Sequence, residues 1–487
     1  MRTALLSLMA LFAGAAHSQP AQNDDSIKLG GITVTGSLRL RFYGWDWFQP
    51  ASGENQYVYS GNLMRIGLSQ KGETWDWTAE FAAPFLLGLP NNATGTGPNQ
   101  GALGLGANYF TANDASRNTA MIFPKQFFVR FDGAGGNKAH TLQIGRFEFL
   151  DGSELAPKNA SLAALKRDRV AQRLLGNFGF SDVGRSFDGA HYAYAHPNDN
   201  FTLIAAVPTR GVFQTDGWGW NRIAFGYAAY THEWGTGRHA ADTRFFVLEY
   251  DDWRHIVKTD NRPLGARRVD LGNIRMDTFG GHSLHAVSTG AGGIDVLLWG
   301  AAQTGRWGNQ KQRAYAIDVE GGFQPKFAAC LKPWMRGGFT LGSGDSNPND
   351  DVHGTFFQVL PTPRPYARSP FFNMMNNRDA FGILTVRPHA IVTVSSEFHS
   401  LGLSDVNDLW YSGGGAYQPW TFGYTGRTTS GRTSLGNLYD TSVEIRVTKK
   451  TMLTVYFGYT QGLAVMEQIY PTGKNGSFGY LEFLRRL

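Results

Sequence analysis

The stretch Gly36–Phe48, GSLRLRFYGWDWF, sets Arg39 and Arg41 two residues apart, with leucine and phenylalanine at the alternate positions. A guanidinium is planar and permanently charged, and its fork of donors matches a carboxylate with two parallel hydrogen bonds. On an extended strand, alternate residues share a face, so arginines at period two can hold successive carboxylates of an acidic solute along one wall. The same parity singles out Arg65, Arg130, Arg210, Lys332, Arg336, Arg387 and Arg446. Asp76, Glu80, Glu249, Asp318, Glu320, Glu397, Glu444 and Glu482 share that parity, which supports a plainer chemistry in which arginines and carboxylates only neutralise one another.

Positioning such residues requires strands. Val34, Leu38, Leu40 and Phe42 face away from Thr33, Thr35, Ser37, Arg39 and Arg41; Met64, Ile66 and Leu68 alternate with Arg65 and Ser69; Trp75, Trp77 and Phe81 alternate with Asp76, Thr78 and Glu80. Later segments repeat the pattern around Tyr315–Glu320, Val443–Val447 and Leu453–Thr460. The chain is rich in Gly (61), Phe (34), Tyr (19) and Trp (13) with only 17% charged residues, which favours aromatic strands and tight turns. Beyond the N-terminus no apolar run reaches the ~18 residues of a spanning helix. Segments of about ten alternating residues separated by turns are the mark of a transmembrane β-barrel.

Short turns, at 71–73, 197–200 and 289–293, alternate with long segments near 83–120, 150–185, 254–275, 345–378 and 405–436. That matches short periplasmic turns and long extracellular loops. Counting on this basis predicts an all-β, antiparallel barrel of about 18 strands starting near 32, 57, 74, 122, 140, 186, 201, 222, 242, 276, 294, 312, 330, 380, 390, 437, 452 and 478. Weak alternation near 122, 186 and 276 leaves sixteen open as the alternative. Hydrocarbon forces the sheet to close, and a barrel of this size encloses water; the arginine face therefore points inward. The terminal segment Phe478–Leu487 places Leu481, Phe483 and Leu487 on one face and resembles the signal read by barrel-assembly machinery, with Arg485 interrupting it.

Arg2, the apolar run Ala4–Ala16 and the small residues Ala16 and Ser18 read as a signal peptide cleaved after Ser18, so residues 1–18 are leader and 19–487 one barrel domain. Cys330 has no partner for a disulfide. The net charge of +6 would suit an anionic partner, but scattered basic residues without a nucleic-acid motif exclude nucleic acid. No nucleophile elbow, metalloprotease helix or phosphate loop occurs, and His282 and His285 fall on opposite strand faces. The chain reads as a non-enzyme without cofactor or metal. Asp345, Asn347, Asn349, Asp350 and Asp351 offer oxygen atoms suited to calcium but lack EF-hand spacing, so local turns are expected instead.

Two stretches resemble the alginate export family of outer-membrane porins: Leu341-Gly-Ser-Gly-Asp345-Ser-Asn-Pro-Asn-Asp-Asp351 with Val352–Phe356, and Gln172-Arg-Leu-Leu-Gly176 with Gly184-Arg-Ser-Phe-Asp-Gly189. The pair Gly145-Arg146 and the opening Leu38–Phe42 add to the likeness. The resemblance implies an eighteen-stranded monomer with an electropositive constriction that exports a polyuronate, and it adds Arg185 and Arg146 to the lumen set, although Arg146 has the parity of lipid-facing Ile144. Residues 159–175 read as a short helix capped by Ser161, with Lys166, Arg169 and Arg173 near one face. Folded inward, it would be a constriction; the alternative is a solvated helix in an outer loop. The expectation is a bacterial outer-membrane channel passing an anionic polysaccharide, alginate or a related polyuronate, outward. Its partners would be that polymer, outer-membrane lipid, the barrel-assembly machinery and periplasmic polysaccharide-synthesis proteins. The alternatives are an anion-selective nutrient porin for small acidic or aromatic solutes, and a plugged structural barrel.

Overall fold

The computed structural model describes residues 27–133, 136–235, 237–363, 366–370 and 372–487; the leader expected at 1–18 lies outside the described residues. Eighteen antiparallel strands form the wall. They are β1 (Ile32–Asp46), β2 (Gln56–Lys71), β3 (Trp75–Leu87), β4 (Phe123–Asp132), β5 (His140–Phe147), β6 (Phe187–His196), β7 (Asp199–Pro208), β8 (Ile223–Trp234) and β9 (His239–Asp252). The circuit continues with β10 (Ile274–Ser288), β11 (Gly292–Trp307), β12 (Gln310–Pro325), β13 (Trp334–Gly342), β14 (Asn377–His389), β15 (Val392–Gly402), β16 (Ser434–Arg446), β17 (Thr451–Gly462) and β18 (Gly476–Arg486). Pairing of β1 with β18, from Ser37↔Arg486 to Asp46↔Ser477, closes the cylinder. Each strand begins within four residues of its expected start, so sixteen strands is set aside.

Leu40, Phe42, Met64, Ile66, Leu68, Phe81, Ile317, Val319, Val455 and Phe457 point outward, where a bilayer replaces water as their solvent, while Arg39, Arg41, Tyr43, Trp45 and Arg65 point inward and are buried. Strands β4 and β10 alternate poorly for local reasons. A register shift at Glu80/Phe81 displaces β4 against β3, and the Gly280-Gly281 pair in β10 lies against Phe246 and the Arg244 carbonyl, where side chains would clash.

All the long connections fall at one end of the cylinder, which also carries the tight turn Gly308-Asn309, and the remaining short turns fall at the other. Several of the long ones fold into the bore. Loop 88–122 carries α1 (Leu105–Ala112), packed against the inward aromatics Trp45, Tyr57 and Tyr59. Loop 148–186 descends furthest: Lys158 donates to Glu233 and Asn198 at the periplasmic ends of β8 and β7, and Ser161 accepts from Gln324 near the end of β12. From there α2 (Ala160–Leu165) and one π turn (Lys166–Val170) lead back upward. The helix is capped by Asn159, whose side chain accepts from the Ser161 and Leu162 amides, and not by Ser161. It ends at Val170, short of the expected 175, and is buried in the lumen, which rules out the solvated-helix reading.

Candidate lumen site

The wall arginines and the loops that fill the bore recognise one another. Arg39 donates to the carbonyls of Gly179 (2.9 Å) and Ser181 (2.5 Å) and to Asp182 (3.3 Å). Arg41 binds Glu482, donates to Tyr43 (2.6 Å) and the Phe180 carbonyl (2.7 Å), and lies over the Tyr480 ring. Asp182 can approach the wall because Gly61 faces it; a Cβ there would stand 2.1 Å from its Oδ2. Arg65 joins Glu80 of the neighbouring strand to Glu148 of the descending loop (2.6 Å).

On the opposite wall the loop also supplies cations to strand carboxylates, beside strand residue Arg244, which pairs with Glu154 of the loop (2.9 Å). Lys166 meets Asp242 (2.8 Å), which His282 also contacts (2.6 Å); Arg169 meets Glu320 (2.8 Å); Arg173 meets Asp318 (2.6 Å). Arg336 shares Glu320 and Asp295. These pairs are almost wholly dry, and a dry ion pair persists only when both partners stay in register. Lys166, Arg169 and Arg173 are therefore brought together as expected of a constriction segment, but they are spent on the wall.

Arg185 binds no carboxylate. It donates to the carbonyls of Gly176 (2.9 Å), Gly415 (2.9 Å) and Pro361 (2.7 Å), one from each of three long loops, and burial pulls its pKa down to about 10. It is a staple between loops and not a lining residue.

Three other expected positions also need correction. Arg146 points outward, in register with Asp188 of β6, which it grips with two bonds of 2.7 Å. Carbonyls of Pro124, Gly217 and Trp218 take its remaining donors, and the Trp220 indole donates to Asp188. With every donor satisfied the pair can sit beside the lipid-facing Phe81, Phe127 and Ile144, while Trp218 and Trp220 of loop 209–222 lie over the outside of the wall along a cavity of about 840 Å³. Gly145, at φ +127, keeps the backbone close enough for this; a Cβ would meet the Phe127 carbonyl at 2.3 Å. Arg210 lies in loop 209–222, paired with Asp216 (3.4 Å), and Lys332 in the exposed turn 326–333; in both places the parity was carried past a strand end.

Toward the periplasmic mouth several cations are less enclosed. Arg130 pairs with Asp76 but stays 27% open, and Arg387 and Arg446 stand at the ends of β14 and β16. Two loop arginines hang into this space. Arg167 leans on its neighbour Asp168 with 29% of its side chain open. Arg368, from loop 343–376, reaches Glu444 only at 3.5 Å, lies over Tyr456, and buries an Nη1 that has no hydrogen-bond partner among the described residues. Sequence reasoning missed both; the available signal for Arg368 was the proline- and arginine-rich stretch 361–368 inside a long loop. Around the mouth, the turns carry Lys138, Arg238, Lys326, Lys332, Lys449 and Lys450 against one carboxylate, Glu73.

The acidic run 345–351 forms turns. The amides of Asn347, Asn349 and Val352 donate to Asp345, Asn347 and Asp350 two residues before each. Burial raises the Asp345 carboxyl to about 7 and that of Asp408, which accepts from the Asp345 amide, to about 6.

A family model described as alginate export matches residues 108–463, more than half of the chain. The chain belongs to the alginate export family. Solved porins share its fold. OpdK of Pseudomonas aeruginosa is 9% identical with a TM-score of 0.54, over 93% of this chain and 98% of that one. A BenF-like porin of Pseudomonas fluorescens Pf-5 is 9% identical with a TM-score of 0.55, over 94% and 99%. OccAB4 of Acinetobacter baumannii is 8% identical with a TM-score of 0.53, over 94% and 98%. No curated protein sequence matches. This family member is an outer-membrane β-barrel channel of the bacterial envelope.

Proposed function

We propose that the channel passes an anionic polysaccharide, alginate or a related polyuronate, outward from the periplasm. The supporting observation is the unequal distribution of cations along the bore. Cations deeper in the bore are paired with buried carboxylates or, for Arg185, with loop carbonyls, whereas Arg167, Arg368, Arg387 and the basic turns are partly open toward the periplasmic mouth. An accessible positive rim concentrates a polyanion before any tight contact forms. Successive guanidinium groups then exchange carboxylates, and weak repeated contacts let the chain advance. The buried pairs hold the loops as the resting closure, which the entering polymer must loosen.

The test is single-channel recording with polyuronate added to either face, beside a neutral polysaccharide of equal length. Block at lower polyuronate concentration from the periplasmic face, without block by the neutral polymer, is the expected result. Equal block by both polymers defeats the substrate assignment. The second reading, uptake of small acidic solutes, draws on the fold shared with OpdK, whose structure with vanillate is known at 9% identity, and on the narrowness of the loop-filled lumen. It predicts conductance of small carboxylates with no polymer block from either face.

A further inference from the structure

Four cations on the outside of the barrel play no part in the pore. Strand register sets Arg275 of β10 opposite Arg306 of β11, and Arg306 opposite Lys311 of β12; Arg313 lies one step nearer the bilayer, opposite Thr304. All four alternate with buried inward residues and are exposed. Like charges directly opposite one another destabilise a sheet, so this row is a cost that the hairpin alone does not recover. Arg275 contacts Glu249 (3.0 Å) and Lys311 contacts Asp351 (2.7 Å), both pairs open to solvent. Arg306 and Arg313 have no hydrogen-bond or ion-pair partner among the described residues.

Their height is set by the residues beneath them. On β11 the outward positions from Ile294 through Leu298 to Ala302 are apolar or small, and on β12 Tyr315, Ile317 and Val319 are exposed. The nine residues from Ile294 to Ala302 match the ~9–11 residues with which a tilted strand crosses the apolar band of such barrels. Tyr315 occupies the aromatic girdle, and the cations stand just above it, at the headgroups of the outer leaflet. Glu249 and Asp277 on the flanking strands confine the positive field to the β11–β12 side.

We propose that Arg306 and Arg313, with Arg275 and Lys311, bind the phosphate groups of lipid A in the outer leaflet. A phosphomonoester presents three acceptor oxygens and more than one negative charge to a guanidinium fork, and its acyl chains would lie along the apolar strip below. A phosphodiester phospholipid offers less charge and fewer acceptors.

Full-length protein in detergent, titrated with diphosphoryl lipid A and read by native mass spectrometry, tests this. The wild type should hold lipid A, and Arg306→Gln/Arg313→Gln should weaken it by roughly 10- to 100-fold, about tenfold for each charge-assisted hydrogen bond removed. The Lys/Lys double variant should keep most of the affinity. Should the Gln double variant fail to form the heat-resistant barrel, Arg313→Gln alone is titrated, with about a tenfold loss expected. Unchanged binding in the Gln variant overturns the site. Displacement of lipid A by equimolar phosphatidylglycerol or inorganic phosphate overturns the lipid A assignment.

Discussion

Arg173→Ala is the sharpest probe of the loop closure. Its guanidinium donates to Asp318 (2.6 Å) and to the Arg169 carbonyl (2.6 Å), and it lies over the Trp299 and Tyr366 rings. Side-chain exposure is 1% for Arg173 and 0% for Asp318, so truncation leaves a buried carboxylate whose remaining hydrogen bond among the described residues comes from the Thr340 hydroxyl (2.9 Å). Breaking a buried pair from one side costs ~3–5 kcal/mol. That cost falls on the closed state, because both groups are hydrated once segment 160–175 swings free. The opening equilibrium should therefore rise by about two to three and a half orders of magnitude. Amide exchange across 160–175 would accelerate by that factor, and open events would become frequent in single-channel records. Arg173→Met/Asp318→Leu should return both readouts toward wild type, since removing a whole buried pair is close to neutral. Exchange unchanged in Arg173→Ala, or as fast in the double variant as in the single one, would refute the closure argument.

Three further outcomes are expected. Arg368→Gln should weaken polyuronate block by about tenfold, the worth of one charge-assisted hydrogen bond, with small-ion conductance little changed; bilayer titration measures it. Arg185→Lys keeps the charge but cannot reach three carbonyls at once, so limited proteolysis should cut loops 148–186, 343–376 and 403–433 together while the barrel stays heat-resistant. The folded-state pKa values of Asp345 (about 7) and Asp408 (about 6) are raised above their unfolded values, so the packing they support is complete in acid and is lost as pH rises through those values. Intrinsic-rate-corrected exchange in 343–357 should speed up from about pH 4 to about pH 7 and level off above, and Asp345→Asn should flatten that dependence.

The wall was legible because lipid on one side and water on the other impose a period of two, and residues such as Leu40 and Arg41 obey it locally. The loops impose no period, so Arg368 was invisible until loop 343–376 was seen to reach β16. Parity failed at Arg210 and Lys332 because it was extended beyond the last ladder bond. At Arg146 parity pointed outward, and the likeness to the family's lumen residues drew the assignment inward. Asn159 and Ser161 are both good caps; which one serves depends on where loop 148–186 turns at the periplasmic end, a tertiary matter. The neutralisation of Arg169 by Glu320 joins residues 151 apart in sequence, and no local rule connects them.

The three-carbonyl grip of Arg185 has a consequence for gating. Gly176 lies in the same loop as Arg185, while Pro361 and Gly415 belong to the other two, so the departure of loop 148–186 cuts both of those adrift. Opening is then a concerted event, and current traces should jump between shut and fully conducting levels instead of climbing through partial ones.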